Sequence, residues 1–177
     1  SLLLIIVLVA GSCMSISNSL LVERKEQTLA FVMSLPVSPL DFTLAKMAGN
    51  LLTFGVPYLV LLLGTLVVIL TTPLPDGLVV FSVLLFGHIL LAYSVSLMVA
   101  MQVESEGWNI FAMIASNLLI NPLIMLLGQI DAIAKPAGGE AIVWSLPAVA
   151  ILSAQLLLSL AALAFTLWWH GRKTAFY

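Results

Sequence analysis

Long, uncharged apolar stretches alternate along the chain with short polar islands. The stretches cover about residues 1–22, 47–72, 78–103, 108–130 and 144–169. Crossing the hydrocarbon core of a bilayer takes roughly 20 helical residues at about 1.5 Å each, so every stretch is long enough for one tilted span. Lipid offers backbone amides no solvent to bond with, which leaves helices and closed barrels, and the period-two alternation of barrel strands is missing. The pattern predicts an all-α, polytopic transmembrane helix bundle, with residues 1–177 forming a single domain.

The first polar island carries more local information than the others. Glu23-Arg24-Lys25-Glu26 is followed by Leu29, Val32 and Met33 at helical spacing, with Glu26, Gln27 and Ala30 on the other side. This pattern predicts a short amphipathic helix lying along the membrane interface. Pro36 ends it. Ser38-Pro39-Leu40-Asp41 then reads as a new helix start, with Ser38 as the cap, Pro39 in the first helical position and Asp41 as a capping carboxylate. Between the two helices, Leu35-Pro36-Val37-Ser38-Pro39 forms an elbow whose prolines fix φ and restrict the residues before them.

Composition agrees with the pattern. The chain is 62% hydrophobic and 8% charged, against soluble averages of about 45–50% and about 25%. A formal charge of −2, scattered along the chain, argues against a nucleic-acid surface or a polybasic lipid anchor. Cys13 is the single cysteine, which excludes an intrachain disulfide and a cysteine metal cluster.

Orientation follows from Lys and Arg. Arg24, Lys25 and Lys46 lie in the 23–46 region and Arg172 and Lys173 in the tail. With five spans these regions share a side, and Lys135 alone lies opposite. The basic side, including the C-terminus, is expected to be cytosolic. Trp168 and Trp169 close the last span beside His170-Gly171-Arg172-Lys173, as an aromatic belt and a basic stop would. Tyr58, Trp108 and Trp144 read as residues of helix ends or kinks. The chain opens inside an apolar run, and the topology is read as a fragment lacking an upstream span.

Several polar residues interrupt the spans. Asn117 and Asn121 are four apart and precede or adjoin Pro122, so the fourth span is expected to kink and free carbonyls near Leu118. Ser116, Asn117 and Asn121 suit either interhelical hydrogen bonding or a polar pathway lining. Of Asp, Glu and His, the apolar stretches contain only His88; it suits either a packing role against a carbonyl or an ion-binding role. Residues 128–147 read as short re-entrant or interfacial pieces on the far side from the basic loops.

Glu23-Arg24-Lys25-Glu26-Gln27-Thr28-Leu29, Leu35-Pro36-Val37-Ser38-Pro39 and Ala45-Lys46 together resemble the signature of ABC-2 type transporter permeases. Gln27 stands where that family often has Gly, and Ala30 where Glu is common. The resemblance implies six spans, of which this chain holds the second to the sixth, and a cytosolic coupling region at 23–46. It assigns coupling to a separate ATP-binding subunit to Glu23, Arg24, Lys25, Glu26, Thr28, Leu29, Pro36, Val37 and Ser38. It further implies a second permease copy or a sister permease as partner, and a bacterial-type inner membrane. Some features are also similar to haem-exporter B-type permeases. No Gly-rich phosphate loop followed by Lys-Ser/Thr is present, so ATP chemistry is expected in the partner and no cofactor in this chain. Outside this family, the sequence is compatible with an ion-coupled carrier or channel using His88, or with a scaffold. An intramembrane enzyme would need a convergent acid–base or metal set, and the sequence offers no such cluster.

Overall fold

A computed structural model describes residues 39–103 and 106–171. Every element in this region is helical: α1 (Pro39–Thr71), α2 (Leu78–Gln102), α3 (Glu106–Leu118), α4 (Ile120–Gln129), α5 (Asp131–Ala137) and α6 (Leu146–Gly171). Four segments are long and apolar enough to cross a membrane: Thr43–Thr71, Leu78–Gln102, Ile110–Gln129 and Leu146–Trp169. The chain is thus a multi-pass integral membrane protein by length and composition. The expected span at 1–22 and the interfacial helix at 23–35 lie outside the described residues.

The helix after the elbow starts at Pro39, with Asp41 in its first turn, as the Ser-Pro-Leu-Asp pattern predicts. It begins earlier than the apolar stretch at 47, because the capped first turns are helical before they are apolar. At 33 residues it is about 50 Å long. This exceeds the roughly 30 Å of hydrocarbon, an excess that tilt or protruding ends accommodate. Pro57 lies inside this helix without ending it; membrane helices tolerate such a loss because neighbouring groups re-satisfy the freed backbone.

The remaining spans are arranged around α2. Of an 18-residue stretch of its span 56% is buried, against 17%, 11% and 22% of such stretches in α1, α3–α4 and α6. Small residues permit this position: Gly87, Ala92, Ser94, Ser96 and Ala100 are all buried, and small side chains let neighbouring helices approach closely in lipid, where hydrophobicity drives no helix association. On α6, the buried residues Ala148, Gln155, Ser159, Ala162 and Thr166 recur at intervals of three, four or seven. That stripe faces inward, while Leu157, Leu158 and Leu160 are exposed.

Two cores stack along the bundle. The larger joins Met47 and Phe54 of α1, Phe86, Ile89, Tyr93, Leu97 and Met101 of α2, and Met113 of α3, with Leu163 and Leu167 of α6 packed against it. The smaller joins Val80 and Leu84 of α2, Leu127 of α4, Ile133 of α5 and Ala148 of α6. The start of α1, the end of α2, the start of α3 and the end of α6 therefore share one side, hereafter the Pro39 side. The opposite, Gly77 side is tied together by the Gly77 amide, which donates to the Gly139 carbonyl at 3.0 Å. The spans accordingly run alternately up and down.

Candidate functional site

Many polar side chains within the spans satisfy themselves locally. The hydroxyls of Thr53, Thr65, Ser94, Ser159 and Thr166 each donate to the carbonyl four residues earlier. Asn117 does the same, its Nδ2 donating to the Met113 carbonyl at 2.8 Å. A helix can carry such groups through lipid because its own backbone carbonyls accept the spare protons. Interhelical bonding expected of the fourth span is thus partly replaced by a bond within one helix.

Other side chains bridge spans. On α1, Tyr58 donates its hydroxyl to the Phe86 carbonyl of α2 at 3.1 Å. On α2, His88 Nε2 lies 3.3 Å from the Ser116 carbonyl of α3; a carbonyl only accepts, so Nε2 carries the ring proton. Tyr93 of α2 donates to the Asn50 carbonyl of α1 at 2.7 Å, and its ring stacks on Phe54 at a centroid distance of 3.8 Å. Tyr58 follows Pro57 inside α1.

Phe86, Gly87 and His88 form a node where α2 meets all three other spans. Phe86 meets Tyr58 of α1 and His88 meets Ser116 of α3. Gly87 meets α6: a Cβ there would overlap Gln155 Oε1 and approach Leu152 Cδ1 to 3.1 Å. Gln155 is only 6% exposed, and its Oε1 has no hydrogen-bond partner among the described residues. The node lies at the edge of the larger core, to which Phe86 belongs, beside the middle of the Ile110–Gln129 span.

Pro122 has no amide to donate to the Leu118 carbonyl, and α3 gives way to α4 at Leu119. The helical path is nevertheless kept: Leu119 has φ −68° and ψ −10°, its amide donates to the Ala115 carbonyl at 3.3 Å and its carbonyl accepts from the Leu123 amide at 3.1 Å. Asn117 is half-buried and Asn121 exposed. Of the residues singled out by sequence, the structure brings His88 and Ser116 together, places Asn117 in the adjoining position and leaves Asn121 outside the contact.

Sequence reasoning missed Gly87, Gln155 and Tyr58. A signal existed for Gln155, the one side-chain amide in the 144–169 stretch, since such a group in lipid requires surroundings of its own. Gly87 precedes His88, but nothing in its sequence neighbourhood separates it from Gly49, Gly55 or Gly64, where an added Cβ would meet nothing within 4 Å.

On the Gly77 side, the expected interfacial pieces are the seven-residue α5 and the irregular segment 138–145. Lys135 and Asp131 of α5 pair at 2.8 Å, both exposed. The coupling residues Glu23, Arg24, Lys25, Glu26, Thr28, Leu29, Pro36, Val37 and Ser38 all lie outside the described residues. No group of three or more His, Cys, Asp or Glu able to hold a metal occurs among the described residues. Compared with protein-family models, curated proteins and solved structures, the chain matches none.

Proposed function

We propose that the chain is a membrane-spanning permease subunit of an ATP-driven exporter of the ABC-2 type. In this reading it contributes the substrate pathway and takes its motion from a separate ATP-binding subunit docked at residues 23–38. A second permease copy completes the bundle, and the Pro39 side with the C-terminus faces the cytosol of a bacterial-type inner membrane. The basic residues Arg24, Lys25, Lys46, Arg172 and Lys173 support that orientation.

One observation carries the reading. Pro39, the last residue of the proline elbow, is the first residue of a helix that runs unbroken to Thr71. A push delivered to the elbow would displace this rod as a whole instead of being lost in a flexible loop. The rod is joined to the central helix by Tyr93 to Asn50 and by Tyr58 to Phe86, so its displacement passes to α2 and to the node. Of Asp, Glu and His, the groups with which ion-coupled carriers commonly bind their driving ion, the five apolar stretches hold only His88.

The test is separation of docking from insertion. Arg24→Glu and Leu29→Asp are expected to abolish co-purification of the ATP-binding subunit and ATP-dependent transport, while membrane insertion and yield stay as in the parent chain. Retained co-purification in both variants would remove the coupling assignment.

A further inference from the structure

Helix α1 carries a weak point in its own backbone. Pro57 lies inside it and has no amide to donate to the Thr53 carbonyl, a loss that kinks or breaks helices. The Thr53 side chain does not repair it, since its hydroxyl donates to the Gly49 carbonyl at 2.8 Å. The helix nevertheless runs from Pro39 to Thr71 as one element. Much of its surface lends no support: Leu52, Val56, Leu59, Val60 and Leu63 are exposed, and an added Cβ at Gly49, Gly55 or Gly64 would meet nothing within 4 Å.

Support comes from α2, on both sides of the proline. Toward the Pro39 side, Tyr93 of α2 donates to the Asn50 carbonyl of α1; toward the Gly77 side, Tyr58 of α1 donates to the Phe86 carbonyl of α2. Asn50 and Tyr58 stand eight residues apart, about 12 Å along a helix axis. Between the two bonds the rings form a continuous ladder. Phe54 stacks on Tyr93 with an interplanar angle of 6°, its centroid lies 5.3 Å from that of Tyr58, and Tyr58 meets Phe86 edge-on at 5.6 Å. Both acceptors are main-chain carbonyls, so the bonds hold the helix backbones themselves in axial register. Phe54, Phe86 and Tyr93 are buried, which leaves the rings little room to turn.

From these contacts we infer that Tyr58, Phe54 and Tyr93 form a splint across Pro57: two tyrosine-to-backbone bonds, one on each side of the missing amide, and the ring ladder between them hold α1 straight against α2. With the splint in place the two helices are one strut, and without it α1 bends between Thr53 and Pro57. The three are positioning residues that act through the shape of α1. A splint needs both ends fixed, so loss of either hydroxyl loosens it. An amide at position 57 makes it unnecessary. The use of the strut, to carry displacement from residues 23–38 into the bundle, rests on the export reading; the splint rests on the contacts alone.

The splint is tested on the full chain in nanodiscs, without an ATP-binding subunit, so that its failure and the failure of the permease reading stay distinguishable. On a Cys13→Ser background, spin labels are placed at Leu52 and Leu70, both exposed. They flank Pro57 and stand eighteen residues apart, about five turns and about 27 Å along one face of α1. The parent is expected to give one narrow distance distribution. Tyr58→Phe combined with Tyr93→Phe keeps the rings and removes both hydroxyls. It is expected to broaden the distribution and shift its centre by about 2 Å or more, the effect of a kink above about 20° on labels one helix radius from the axis. Each substitution alone is expected to broaden it less. Adding Pro57→Ala restores the amide and is expected to return the parent distribution in every case. An unchanged distribution in the double variant would overturn the splint. Broadening that survives Pro57→Ala would overturn it too, because loosened packing and not the missing amide would then be the cause. Should the double variant fail to assemble, the single variants with and without Pro57→Ala decide by the same two criteria.

Discussion

Replacing Gly87 by Ala adds one methyl group at the closest approach of α2 to α6. The new carbon would overlap Gln155 Oε1 and stand 3.1 Å from Leu152 Cδ1, so both side chains must give. Inserting a carbon into a close-packed contact costs about 1–3 kcal/mol, and Ala in place of Gly within a helix recovers up to about 1 kcal/mol. Displacing Gln155 Oε1 sacrifices no hydrogen bond among the described residues, which keeps the cost toward the lower end. The expected net effect is a loss of about 1 kcal/mol, roughly a factor of five in the folding equilibrium. The control is Gln155→Ala, which empties the space the methyl enters. In that background Gly87→Ala is expected to be neutral or stabilising, giving a coupling of about 1–2 kcal/mol between two residues in contact. Reversible unfolding in mixed lipid–detergent micelles, followed through the four tryptophans, measures all four corners of the cycle. The same cost for Gly87→Ala with and without Gln155 would refute the contact as the reason for glycine at this position.

Two further substitutions separate packing from polar roles. Tyr93→Phe keeps the stack on Phe54 and removes the bond to the Asn50 carbonyl; an interhelical bond in membranes averages about 0.6 kcal/mol, so unfolding is expected to shift by about that amount, whereas Tyr93→Ala loses about 3–5 kcal/mol by the cost of deleting a large buried ring. Asn121→Leu is expected to leave the stability of the isolated chain within about 0.5 kcal/mol, because the side chain is exposed and exposed substitutions have small effects; a transport defect without an unfolding shift would then mark Asn121 as a pathway residue, and a shift above about 1 kcal/mol would place it in packing.

The elements most legible in the sequence are those set by local chemistry. Ser38-Pro39-Leu40-Asp41 marks the start of α1 because proline fits the first helical turn better than any later one. Pro122 marks the passage from α3 to α4 because a missing amide has a definite address four residues back. Span lengths follow from the absence of charge over twenty or more residues. What the sequence conceals is which face of each span meets which neighbour. In soluble helices an apolar stripe names the buried side, but here Leu52, Val56 and Leu63 are exposed while Thr43, Ser94 and Thr166 are buried. Lipid reverses the rule by accepting aliphatic side chains, so that small and weakly polar residues line the contacts. The node at Phe86-Gly87-His88 was visible only as His88, since Tyr58 and Gln155 join it from residues 28 and 68 positions away in sequence.

The central claim is that this bundle is driven by a separate ATP-hydrolysing subunit gripping residues 23–38. Its most direct measurement is affinity purification of the protein from its native membrane in mild detergent, with mass spectrometry and an ATPase assay on the eluate. The account predicts a stoichiometric ATP-binding partner and nucleotide hydrolysis that Arg24→Glu removes from the eluate. Recovery of the chain without such a partner, in detergents that preserve known membrane complexes, and with no hydrolysis above background, would contradict it.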